Sequence, residues 1–203
     1  CEAELLPILR GLPSDARSYF GLDFGRLVDL SVLIPLLESS DLICRTPFVL
    51  EMRSVPFEQQ KQLTFYVADR LPRLLKAALD ARGNGQYLAE VTMQRYGIGR
   101  VDQVMLSDKW YLEHMAPFKA ALEDGTLADL PRDAGVLDDL RAIELVRGVP
   151  KIADARTTSS DGGKRHGDAA VACVLAHYAS RHAGVEIEYT SAPPRTRFSE
   201  QDD

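Results

Sequence analysis

The sequence predicts an α/β domain: a mixed central sheet built on an antiparallel meander, flanked by helices and carrying an added β-hairpin. Three observations predict it. Period-two and continuous apolar runs fill 18–53, the pattern of successive short strands. Between 57 and 123, segments with apolar residues at a 3.6-residue spacing alternate with short apolar runs, the pattern of β-α-β-α units. An amphipathic, small-residue helix closes the pattern at 168–182.

The first strand lies in 18–25, SYFGLDFG, where Phe20, Leu22 and Phe24 alternate with Tyr19, Gly21 and Asp23, so that Asp23 faces away from the phenylalanines. A second strand follows at 30–37 and a third at 42–53, divided by the polar turn Glu38-Ser39-Ser40-Asp41. Pro35 and Pro47 fall inside these runs, which calls for an edge position or a bulge at each. After Pro56, a good helix-start residue, Phe57, Gln60, Lys61, Phe65, Ala68, Leu71 and Leu75 predict one long helix over 57–76, bent at Pro72. KAALD at 76–80 reads as a strand stopping at ARGNG, and LAEVTMQRYG as a helix closing on Gly97. A strand at 101–106, a helix at 108–123 and a short acidic helix near 133–141 come next. IELVRGVPKIA reads as a hairpin turning at Gly148-Val149-Pro150. The polar, glycine-rich loop 157–167 leads into the last helix, whose Ala169, Ala172, Cys173, Ala176 and Ala179 suit close packing on a sheet. Beyond Thr190 no core-forming pattern remains, and the tail is expected to be disordered or a linker.

With 45% hydrophobic and 27% charged residues in 203, disorder and collagen-like repetition are excluded. No run approaches the roughly 18 apolar residues of a membrane span, and no basic segment followed by an apolar one marks a secretory signal. Cys1, Cys44 and Cys173 are odd in number and lack C-x-x-C spacing, which argues against a disulfide framework or a thiolate zinc site and fits a reducing cytoplasm. The first residue is not Met, so the chain is expected to be a segment of a longer protein. A net charge of -6 argues against a passive nucleic-acid coat. The charge is unevenly spread, however: 141–165 carries Arg141, Arg147, Lys151, Arg156, Lys164 and Arg165 against Glu144, Asp154 and Asp161. Such a basic strip can hold a polyanion where it borders the chemistry.

Three acids stand at the ends of elements. Asp23 lies in the first strand between Gly21 and Gly25, Asp80 ends a later strand before Gly83-Asn84-Gly85, and Asp168 opens the last helix behind His166-Gly167. Each alone could be a cap or an Asx-turn residue. Gathered, carboxylates repel one another and stay ionised together only beside cations, which points to hard divalent metal with oxygen ligands. Two such ions can activate a water and stabilise the leaving oxygen of a phosphodiester.

G-L-D-F-G-R in the first strand, a meander, L-D-A-R-G-N-G before a helix, a hairpin, and K-R-H-G-D-A-A-V-A opening a helix together resemble the nuclease domain of bacteriophage large terminase subunits, particularly the Mu-like phage and prophage type. The resemblance covers about 18 to 182 and implies a ribonuclease-H-like fold. It implies a metal-dependent endonuclease that cuts viral double-stranded DNA during packaging, using two Mg2+ or Mn2+ ions held by Asp23, Asp80 and Asp168. Glu51 and Glu90 compete with Asp80 for the middle position. His166 matches a position near the metals and is a candidate proton shuttle or outer ligand, while Asp29 takes a supporting role. Arg82, Lys164 and Arg165 are the candidates for phosphate oxygens. His177 and His182 read as surface or core-edge residues, and Trp110 and Tyr111 as a packing anchor.

The family's ATPase motor carries G-x-x-x-x-G-K-[ST], which is absent here, so no ATP site is expected in this chain. The implied organisation is 1–17 as a linker or helix from the ATPase half, 18–185 as the nuclease domain, and 186–203 as an acidic tail. Implied partners are the phage portal, the small terminase subunit and the chain's own N-terminal ATPase, in the bacterial host cytoplasm and without a membrane. Three alternatives stand beside this reading: a resolvase-type or transposase relative of the same fold, a docking module with silent acids, and a nucleotide-binding domain. The last rests only on Gly83-Asn84-Gly85 and lacks the full G-x-G-x-x-G.

Overall fold

The computed structural model describes residues 2–25, 30–152, 157–158, 164–165 and 167–184, with backbone only at 2, 157, 158, 164 and 165. A helix, α1 (Glu2–Arg10), precedes the strand β1 (Arg17–Asp23), the meander β2 (Leu30–Glu38), β3 (Cys44–Arg45) and β4 (Leu50–Arg53), and α2 (Phe57–Ala68). Parallel units follow: β5 (Leu74–Asp80), α3 (Gly85–Tyr96), β6 (Val101–Val104) and α4 (Asp108–Asp124). Then come β7 (Leu127–Ala128), α5 (Ala134–Arg141), the hairpin β8 (Ile143–Val146) and β9 (Val149–Ile152), the short pair β10 (Thr157–Thr158) and β11 (Lys164–Arg165), and α6 (Asp168–His182).

The main sheet is mixed, in the order β6-β5-β1-β2-β3-β7 with β4 also on β2. β1, β5 and β6 run parallel, whereas β2 is antiparallel to β1, β3 and β4. Helices cover both faces, which is why β1 and β2 are buried almost throughout. On one face Phe20, Leu22, Leu33 and Leu79 pack with Leu5 and Leu9 of α1, Val67 of α2 and Leu88 of α3. On the other, Tyr19, Val32, Ile34 and Ala78 pack with Tyr111, Met115 and Phe118 of α4, Val136 of α5 and the small residues of α6. The alternation along β1 therefore divides the two layers and sends Gly21 and Asp23 toward α6.

Four local expectations are corrected. The helix after Pro56 ends at Ala68 rather than 76, since Arg73 takes φ 41 in the turn and Leu74 already belongs to β5. The run 42–53 is two short strands, because Thr46 to Val49 around Pro47 leave the ladder. Pro35 sits in mid-strand, not at an edge: β4 pairs with 30–33 of β2 and β3 with 37–38, so the prolyl nitrogen falls at the gap between them. The hairpin turns at Arg147-Gly148, both at positive φ (53 and 82), while Val149 and Pro150 are in β9.

Candidate metal centre

Asp23 and Asp80 are the last residues of β1 and β5. These strands are parallel neighbours with Gly21 opposite Ala78 and Leu22 opposite Leu79, so both acids leave the same edge of the sheet on the same face. The third acid is brought there by glycine. A β-carbon on Gly21 would lie 2.0 Å from the carbonyl oxygen of Ala172 and 2.3 Å from the nitrogen of Ala176, so the α6 backbone rests directly on β1. From this contact, four helical residues back to Asp168 span about 6 Å, close to the ~6.6 Å that two strand residues span on to Asp23.

All three carboxylates are buried, at 9%, 6% and 6% exposure for Asp23, Asp80 and Asp168. Burial, then the charges of Asp168 and Asp80, hold the Asp23 carboxyl well above the usual range, with Arg82 opposing and a hydrogen bond to Asp80 adding to the rise. The turn after β5 makes Arg82 part of the site. Its backbone N–H donates to Asp80 Oδ1 at 2.9 Å, and its guanidinium forks onto the carboxylate through Nε (3.1 and 3.2 Å) and Nη2 (3.0 Å). Gly83 at φ 52 and Gly85, where a β-carbon would meet the Asp80 carbonyl oxygen at 2.3 Å, let the chain fold this tightly into α3.

Two further groups complete the surroundings, and neither was a candidate for them. Tyr111, expected only as an anchor, is buried beside Arg82, Asp23 and Asp80; burial foremost pushes its hydroxyl up to about 12, so it stays protonated at neutral pH. Asp139 of α5 is almost fully buried, and its Oδ2 accepts the N–H of Ala169 at 3.0 Å. The N-cap residue of α6, Gly167, is left-handed and offers no side chain, so α6 borrows its cap from α5. The helix that carries Tyr111 was expected from the sequence, but no spacing in sequence could show that Tyr111 lies beside Arg82 and the acids.

Of the expected residues, the structure thus gathers Asp23, Asp80, Asp168 and Arg82. Of the competitors for the middle place, Glu51 is exposed on β4, two strands from Asp23, and Glu90 is exposed on α3, accepting from Gln94. Asp29 and His166 lie outside the described residues, as do the side chains of Lys164 and Arg165, whose backbones form β11 opposite β10. Trp110 packs with His114 and Tyr178, and His177 is buried against Phe118 while His182 is exposed.

Among the described residues no three His, Cys, Asp or Glu side chains form a ready-made metal cage. The donor chemistry nevertheless fits a hard divalent cation: three buried carboxyl groups crowd one place, and the charges of Asp168 and Asp80, which after burial raise the Asp23 carboxyl, are ones that a cation would offset. Sulfur and imidazole, the donors that favour softer metals, do not enter this set among the described residues.

The chain is 42% identical over 195 residues to the Mu-like prophage FluMu protein gp28 of Haemophilus influenzae, matching 96% of this chain and 38% of that protein. It is 40% identical over 206 residues to the probable terminase large subunit gp28 of Escherichia phage Mu, matching 100% of this chain and 37% of that protein. It therefore spans less than two-fifths of the length of these relatives. Among solved structures, the large terminase nuclease from thermophilic phage G20c with bound magnesium superimposes with a TM-score of 0.60 at 19% identity, covering 82% of both chains. The Thermus phage P74-26 large terminase nuclease domain gives 0.56 at 18% identity, covering 81% of this chain and 80% of that one. No family model matches the chain. Over the stretch it shares with its relatives, this chain belongs to the family of Mu-type gp28 large terminase subunits, and its fold is ribonuclease-H-like.

Proposed function

We propose that this chain is a metal-dependent endodeoxyribonuclease domain of a DNA-packaging terminase, hydrolysing phosphodiesters with two divalent cations, Mg2+ or Mn2+. The observation that carries the proposal is the convergence of three buried carboxylates, Asp23, Asp80 and Asp168, from two parallel strands and one helix, with the Asp23 carboxyl pushed up by burial first and then by its neighbours' charge. In this reading those three residues hold the cations, which when bound supply activation of the attacking water and charge on the leaving oxygen. Arg82 faces a phosphate oxygen. Tyr111 keeps its proton and can donate it in a hydrogen bond, while its ring and the α6 backbone keep bulk water from one side of the acids. None of these groups reads a base edge, so cutting shows little sequence preference.

Residues 18–185 make up the nuclease unit in this proposal, with 1–17 leading from an ATPase half and 186–203 as an acidic tail. His166, Lys164, Arg165 and Asp29 remain proposed as proton shuttle, phosphate contacts and support. The substrate is double-stranded viral DNA in the host cytoplasm, and the partners are the portal, the small subunit and the ATPase half. The names of the relatives and the fold support this reading.

The test is incubation of the chain with supercoiled plasmid in Mn2+, Mg2+ or EDTA beside Asp168→Ala. Metal-dependent nicking lost in the variant supports the proposal. A folded wild-type chain that cuts no more than the variant and binds no Mn2+ favours a docking module instead.

A further inference from the structure

Arg82 and a divalent cation have a claim on the same atoms. The guanidinium fork engages both oxygens of Asp80, and the Arg82 backbone N–H takes a further lone pair of Oδ1. The three N–H groups leave a cation little of the carboxylate plane, one lone pair at most and none for chelation by both oxygens unless the fork opens, and the cation brings two positive charges to within a few ångströms of a third. The two cannot both hold Asp80 fully. The Arg82 side chain is nearly half exposed, at 47%, whereas that of Asp80 is at 8%, so it is the arginine that can swing out while the acid stays. The displaced guanidinium would sit at the rim of the acid site, where its planar fork suits the oxygens of an approaching phosphodiester.

We infer that Arg82 is a built-in competitor of the metal at Asp80: it weakens cation binding, and cation binding in turn releases it toward the nucleic-acid phosphate. The inference rests on the metal-centre reading of Asp23, Asp80 and Asp168. It makes metal and polyanion binding mutually supportive, because each draws Arg82 in the same direction away from Asp80.

The test measures Mn2+ affinity by electron paramagnetic resonance at pH 8, without DNA, for the wild type, Arg82→Ala, Arg82→Lys and Asp80→Asn, with thermal melts to verify folding. Arg82→Ala should bind Mn2+ more tightly, by about tenfold, from loss of one partly exposed charge-assisted fork. Arg82→Lys, which keeps the charge and loses the bidentate geometry, should fall between them. In Ca2+, filter binding of a duplex should be weaker for Arg82→Ala, with its salt slope reduced by about one. If wild type and Arg82→Ala bind Mn2+ equally, or the variant binds less, the competition is overturned while the metal centre stands. If no protein binds Mn2+, or Asp80→Asn binds as wild type does, the metal centre at Asp80 itself is overturned.

Discussion

Replacing Gly21 by alanine puts one methyl group where β1 and α6 already touch. The new carbon would stand 2.0 Å from the Ala172 carbonyl oxygen, where ordinary contact begins near 3.4 Å, so the helix must withdraw by about 1.4 Å or the strand must bend. The clashing atoms are backbone, and no rotamer change relieves them. Overpacking of this kind costs about 1–3 kcal/mol, which for a chain of this size lowers the melting temperature by roughly 2–4 °C per kcal/mol. The effect on chemistry is larger in proportion. Asp168 travels with α6 while Asp23 stays with β1, and a misplacement of about 1 Å can cost on the order of 10²-fold in rate. The assay pairs urea unfolding followed by circular dichroism with the nicking rate of supercoiled plasmid in Mn2+. Gly99→Ala is the control, since a β-carbon there meets nothing within 4 Å. Adding Ala172→Gly to Gly21→Ala should not restore either property, because it removes a side chain and leaves the carbonyl. A Gly21→Ala chain as stable as Gly99→Ala and nicking at the wild-type rate would refute the argument that this contact sets the acid spacing.

Three other outcomes are expected. Asp139→Ala should lose about 1–2 kcal/mol in urea unfolding through the missing cap on α6, whereas Asp139→Asn, which keeps an acceptor for the Ala169 N–H, should lose less. Asp23→Asn should abolish nicking yet raise the melting temperature in EDTA, because it removes one of three mutually repelling buried carboxylates; a lower melting temperature would count against that repulsion. His177 is held neutral mainly by burial, with its pKa lowered to about 4, so the unfolded chain binds the proton first as pH falls below 6.5. Stability from this group is complete above 6.5 and drains away toward pH 4, by about 1–2 kcal/mol at pH 5. His177→Gln should show a correspondingly smaller loss between pH 7 and pH 5, and an identical loss in both chains would rule the histidine out.

The sequence was most legible where one element declared itself by its own period. β1 could be placed by alternation, and with it the side of the sheet that Asp23 occupies; α6 could be placed by its alanines, and with it Asp168 at the first turn. Legibility failed where two patterns share the same residues. Leu71 and Leu75 continue the helical spacing begun at Phe57, yet a strand buried on both faces is also a run of apolar residues, and only the turn at Leu71-Pro72-Arg73 separates the two. At the site, Asp23, Asp80 and Asp168 were visible because each stands at one end of an element with a glycine within three positions. Tyr111 and Asp139 were not, since what matters about them is a neighbour 29 or 30 positions away, Arg82 for one and Ala169 for the other.

The acid set joins the first strand of the main sheet to the last described helix, and this has a consequence for the chain during its synthesis. Between the emergence of Asp23 and that of Asp168 a ribosome adding 5–20 residues per second works for roughly 7 to 30 s. Throughout that interval the nascent chain has Asp23, and later Asp80 with its arginine, but no helix to seal the Gly21 face and no third carboxylate. Chains cut short before α6 would display the apolar face of β1, β2 and β5 and become substrates for proteolysis rather than partly competent enzymes. On the proposed function, hydrolytic capacity would thus arrive in one step with the completed domain, and the host's own DNA would not be exposed to half-built copies.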